Sequence, residues 1–205
     1  MRLALEFTGV VPLLVYVLLH LLDLTLAIRA EQGFESMMAR SRFEVGLEVL
    51  LLWLPLAAHS ALGLWQLATE REKRERFGPK RLARASALVL VVFVVVHVAT
   101  LRAARAGGSL ADQDVFFRLI EQLSSTTSFG IPTWALGYTL GVVALGLHVG
   151  LSLRAFADGR GWLSHPRLGR PVRVFTWVLG VLLLLWGLDV VAVYATGSHF
   201  WFAPV

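Results

Sequence analysis

Apolar residues run through this chain in five long blocks, about 5–28, 45–68, 85–105, 132–154 and 174–195, with charge concentrated between them. A hydrocarbon core of about 30 Å is crossed by roughly 20 helical residues at 1.5 Å each. Each block therefore predicts one transmembrane helix. The expected fold is all-α, a single membrane domain over 1–205 built as a bundle of five transmembrane helices. The first block follows Arg2 like a signal peptide, yet its apolar run is far longer than a signal core and no small-x-small cleavage site follows. It is expected to stay as an anchor. Between the third and fourth blocks, LADQDVFFRLIEQL (110–123) places Val115, Phe116, Leu119, Ile120 and Leu123 on one helical face. That pattern predicts a short helix lying in the membrane interface.

Composition agrees. Hydrophobic residues make up 57% of the 205 and charged residues only 16%, with mean hydropathy +0.68, where a soluble domain carries roughly a quarter charged. There is no cysteine, which excludes disulfides, thiolate metal sites and iron–sulfur clusters held by this chain. The net charge of +5 does not mark a nucleic-acid partner, because the basic residues sit between apolar runs rather than on one face. They report topology instead. Segment 69–84 holds seven Lys and Arg against three acids, and 154–173 adds Arg154, Arg160, Arg167, Arg170 and Arg173 against Asp158. With Arg2, one side carries thirteen basic residues and the other six. The positive-inside rule places the N-terminus and both basic loops in the cytoplasm and the C-terminus outside.

Ionisable residues within a span are costly and mark function by default. Each of the first four blocks carries one histidine: His20, His59, His97 and His148. A lone intramembrane histidine is as readily a structural hydrogen-bonding residue as a ligand. Four, one per helix, fall at two depths. Counted from the cytoplasmic ends, His20 and His97 lie roughly 20 Å deep, His59 and His148 roughly 9–13 Å. In an up-down-up-down bundle of the first four helices, the first and third occupy one diagonal and the second and fourth the other. Each level then offers two imidazoles to a flat cofactor in the core, the bis-histidine arrangement of electron-carrying haems. Zinc would require three or four ligands at one level, often including carboxylate or thiolate.

Secondary candidates surround these four. Gly137 and Gly141, then Gly146 and Gly150, recur at i,i+4 around His148. Such small faces admit a macrocycle or a neighbouring helix close to the backbone; Gly141 and Gly146 are the candidates for close haem approach. Arg84 and Arg154 sit at the inner ends of histidine helices, suited either to haem propionates or to positive-inside anchoring. His165 and His199 lie outside the blocks and read as surface residues. Trp65, Trp134, Trp162 and Trp201 fall near block ends, as an aromatic belt would.

The stretches TGVVPLLVYVLLHL (8–21), LEVLLLWLPLAAHSALGLW (47–65), RASALVLVVFVVVHVATLR (84–102) and LGVVALGLHVGL (140–151) resemble the four histidine helices of a known family. It is the cytochrome b membrane subunit of succinate dehydrogenase and fumarate reductase, in its single-chain, five-helix, two-haem form. The resemblance follows the chain in order over nearly its whole length. It implies two b-type haems, with His20 and His97 holding the one nearer the outside and His59 and His148 the one nearer the cytoplasm. It further implies a bacterial inner membrane, cytoplasmic flavoprotein and iron–sulfur partners docked on the basic loops, and membrane quinone as electron partner. The succinate step would belong to those partners. Where some fumarate reductases place a carboxylate two residues before the fourth histidine, this chain has Gly146. Asp23 and Asp189, toward the outer ends of their spans, are the candidates for quinone protons, with Glu44 and Glu48 competing.

Two other classes predict different patterns. The membrane cytochromes of hydrogenases and formate dehydrogenases often put two ligands on one helix, against one per helix here. A cofactor-free transporter calls for paired repeats or broken helices along a path. Pro12 and Pro55 break the pattern locally, but the two halves do not repeat.

Overall fold

The computed structural model describes residues 5–6, 8–29, 49–69, 78–106, 112–127 and 129–198. Every regular element among them is helical. In chain order these are α1 (Leu14–Arg29), α2 (Leu54–Thr69), α3 (Pro79–Ala106), α4 (Asp112–Ser124), α5 (Thr133–Gly159) and α6 (Gly169–Thr196). Four helical stretches are long and apolar enough to cross a membrane: Val49–Thr69, Pro79–Thr100, Thr133–Gly159 and Gly169–Thr196. The apolar run described on α1, Leu14–Leu26, is shorter. This is the architecture of a multi-pass membrane protein. Leu50, Leu51, Leu54, Val92, Val95 and Phe175 are exposed, and lipid is the solvent that accepts such side chains without the cost of wetting them.

The first two apolar blocks each contain a π-helical segment, Gly9–Leu13 before α1 and Val49–Trp53 before α2. Proline accounts for both. Pro12 lies inside the first segment and Pro55 is the second residue of α2. A proline lacks the N–H that an α-helix returns to the carbonyl four residues back, and its ring crowds that carbonyl. Widening the preceding turn relieves the clash.

Helix ends overrun the apolar blocks. Pro79 starts α3 six residues early, where its missing N–H costs nothing, and the basic run after it is made of good helix formers. The α6 helix stops at Gly197, whose φ of 72° ends the helix in the left-handed region, its N–H donating to the Val193 carbonyl at 2.8 Å.

Packing runs from helix to helix. The π turn before α1 lies on α2, α2 touches α3, α3 packs along α5, α5 along α6, and α6 returns to α1. The tightest seam joins α5 to α6. A methyl built on Gly146 would lie 2.7 Å from the Gly180 carbonyl oxygen, one on Gly150 3.2 Å from that of Thr176, and one on Gly187 2.7 Å from Val142 Cγ1. Contact partners descend along α6 as they ascend along α5, so the two helices are antiparallel. Small residues let the backbones meet. Gly146 therefore serves a helix-to-helix approach.

The short amphipathic helix expected between the third and fourth blocks is α4. Its Leu119, Ile120 and Leu123 pack with Val142, Val190, Val191 and Tyr194, and Leu123 is only 1% exposed. Of its apolar face, the described side chains thus pack on α5 and α6.

Candidate functional site

The four intramembrane histidines meet in two pairs. His20 on α1 faces His97 on α3, with ring centroids 6.2 Å apart and planes at 71°. His59 on α2 faces His148 on α5, again at 6.2 Å, with planes at 83°. The pairs lie at separate levels. On α5, Tyr138 contacts His97 and His148 follows ten residues later, a rise of about 15 Å. On the first helix, Gly9 touches His59 and His20 follows eleven residues later, a rise of about 16 Å. The two routes agree. Depth counted from the block ends gives a smaller separation, because that count takes every inner end as level.

Neighbours hold the rings. The Leu5 carbonyl lies 3.2 Å from His59 Nδ1 and Thr8 Oγ1 lies 3.4 Å from it. A carbonyl oxygen only accepts, so the proton sits on Nδ1 and Nε2 keeps its lone pair. His97 Nδ1 lies 2.9 Å from the Tyr138 hydroxyl. His148 Nδ1 is buried with no hydrogen-bond partner, and its Nε2 is 3.5 Å from Ser152 Oγ. Rings also stack: Tyr16 on His20 at 5.6 Å, and Phe93 on His97 at 5.5 Å.

Such pairs fit an iron between two imidazoles. A ligating nitrogen sits about 2.0 Å from a first-row metal ion and about 1.2 Å from its own ring centre, so centroids across the metal stand about 6.4 Å apart. Both observed separations match this span. His59 Nε2 carries the lone pair a metal requires, and His148 Nδ1 is buried without a hydrogen bond of good geometry. No cluster of three or more His, Asp or Glu that could hold a metal occurs among the described residues, which leaves a tetrahedral zinc site short of ligands.

The other candidates are placed as follows. A methyl on Gly141 would lie 2.5 Å from the Phe93 ring, so that small face admits an aromatic side chain of α3. Gly146 lies on the α6 seam. Arg84 and Arg154 are half-buried, Arg154 lying six residues beyond His148. Asp23 is half-buried three residues beyond His20, and Asp189 is 3% exposed. Trp186 Nε1 on α6 donates to Thr25 Oγ1 on α1 at 2.8 Å, which brings both aspartates to the same end of the bundle. Glu44, Glu48 and His199 lie outside the described residues. His165 Nδ1 accepts from the Arg167 and Leu168 N–H groups at 3.3 Å, so it organises the entry to α6.

Residue-type reading misses Gly9, Thr8, Tyr16, Phe93, Tyr138 and Ser152. Tyr16, Phe93 and Ser152 each stand four residues from a histidine on the same helix, a spacing that puts side chains in contact. Gly9, Thr8 and Tyr138 reach a histidine of another helix, and only helix register brings them there.

Comparison with known proteins supplies one relative and two blanks. No protein-family model matches the chain, and no solved structure matches it. The succinate dehydrogenase cytochrome b558 subunit of Bacillus subtilis (strain 168) is 26% identical over 191 residues, covering 89% of this chain and 90% of that protein. The likeness thus runs over most of the chain rather than through one apolar block. The chain is similar, along nearly its whole length, to that succinate dehydrogenase cytochrome b558 subunit.

Proposed function

We propose that this chain is the di-haem cytochrome b anchor of a succinate:quinone oxidoreductase, carrying electrons between a cytoplasmic iron–sulfur and flavoprotein pair and membrane quinone. The observation that carries the reading is the twofold recurrence of facing imidazoles at 6.2 Å, at two levels of a chain whose relative is a succinate dehydrogenase cytochrome. His20 and His97 would hold one b-type haem, His59 and His148 the other. A haem so held would supply one-electron carriage. The chain's own residues do the rest. Leu5 orients His59 through its carbonyl, and the surrounding apolar side chains exclude water.

In this reading Gly9–Arg29, about 31 Å long, is the fifth span. The N-terminus and the basic loops face the cytoplasm, where Lys80, Arg81, Arg167 and Arg170 meet the soluble partners. Arg84 and Arg154 would pair with propionates of the inner haem. Asp23 and Asp189, with Glu44 and Glu48 as competitors, would serve quinone protons near the outer haem.

The test is a reduced-minus-oxidised spectrum with a pyridine haemochrome assay on the detergent-purified chain from haem-sufficient cells. About two b-type haems per chain are expected. Absence of haem, with or without co-expressed partners, overturns the reading.

Gly9→Ala gives a sharper check. The added methyl would stand 2.5 Å from His59 Cε1 and 2.8 Å from Nδ1. The imidazole, at the tip of its side chain, gives way before the backbone does. Turning it breaks the bond to Leu5, worth about 1 kcal/mol, and misaims Nε2. The expected outcome is a chain of near-native thermal stability with the His59–His148 haem depleted and the other retained.

A further inference from the structure

The two histidine pairs are held by different chemistry, and the difference centres on Tyr138. His59 Nδ1 meets a backbone carbonyl, whereas His97 Nδ1 meets a phenol at 2.9 Å. The phenol is fixed from several sides. Phe93 stands edge-on to Tyr138, with centroids at 5.4 Å and planes at 86°, while lying nearly parallel to His97 at 18°. Gly141, one turn beyond Tyr138 on α5, makes room for the Phe93 ring. Tyr138 also packs against the apolar cluster of Leu123, Val142 and Val191. Tyrosine, phenylalanine and glycine thus form one clamp around the His97 imidazole.

We infer that Tyr138 is a positioning residue for His97, fixing its tautomer and ring plane and setting the potential of the haem at that level apart from the other. The inference rests on the reading that His20 and His97 hold a haem. With Nε2 of His97 committed to iron, the ring proton lies on Nδ1 and donates to the phenol oxygen. An imidazole that donates from its far nitrogen is a more basic ligand, and a more basic ligand favours the oxidised metal. Tyr138 therefore holds that haem at a lower potential than an unbonded imidazole would.

Tyr138→Phe removes the acceptor and keeps the ring. The expected result of a redox titration followed optically is two haems per chain, with one midpoint potential moved upward and the other in place. In a His59→Ala background, which leaves only the His20–His97 haem, the upward shift persists. Unchanged potentials in a Tyr138→Phe chain that still holds both haems overturn the inference and leave the function standing. A native chain without haem overturns the function itself.

Should Tyr138→Phe lose the haem outright, Gly141→Ala tests the same clamp without touching the hydroxyl. Its methyl would lie 2.5 Å from the Phe93 ring and push that ring against His97. A changed low-spin paramagnetic resonance signal from the His20–His97 haem alone is expected; an unchanged signal counts against the clamp.

Discussion

A His148→Ala chain, purified from haem-sufficient cells, is expected to hold about one haem where the native chain holds about two. His59→Ala should lose the same haem, since the two rings face each other at 6.2 Å, and the double variant should lose no more than either single one. His20→Ala and His97→Ala should remove the other haem in the same way. The four single variants therefore sort into two classes by the optical band they lose. Different bands lost from His59→Ala and His148→Ala would overturn the pairing.

The variants should differ in stability. His148 Nε2 lies 3.5 Å from Ser152 Oγ, a long contact whose loss costs little. Replacing His97 removes the 2.9 Å bond to the half-buried Tyr138 hydroxyl, a loss of about 1 kcal/mol. Thermal unfolding of the haem-free chains should place His97→Ala below His148→Ala.

Gly180→Leu should be the most damaging change away from the histidines. A methyl at Gly180 would already lie 2.7 Å from the Gly146 carbonyl oxygen and 3.2 Å from Gly150 Cα. Both are backbone atoms, so no rotamer change on α5 yields, and the helices must separate. Overpacking of this kind costs about 1–3 kcal/mol. Here it also opens the seam that seats α5, the helix carrying His148 and Tyr138. The expected outcome is a fall in the thermal midpoint together with broadened signals from both haems. A Gly137→Leu control should change neither, since nothing lies within 4 Å of that position. Equal behaviour of the two variants would show that the α5–α6 contact does not support the site.

Much of this was legible residue by residue. Apolar runs of membrane-spanning length mark the helices because each must satisfy its own backbone in lipid. A histidine inside such a run stands out because its cost demands a use. Depth arithmetic alone pairs His20 with His97 and His59 with His148, the same rings that face each other in the fold. The arithmetic succeeds because rise per residue in a helix is constant. It underestimates the gap between levels because inner ends are not coplanar. The apolar face of α4 was legible too, but not its occupant: periodicity gives a face, and lipid and a neighbouring helix are equally apolar.

Hydropathy and helical rise along the chain suffice for the helical membrane class, the identity of the four half-buried imidazoles and their division into two levels. These follow from local rules, hydropathy and helical rise, that hold whatever the neighbours are. The contact of Gly146 with Gly180, the seating of His59 on Gly9 and the reach of the Tyr138 hydroxyl to His97 appear only in the assembled fold. Each depends on the sliding and rotation of one helix against another. That register is set by the sum of many side-chain contacts along the seam, which no short stretch of sequence contains.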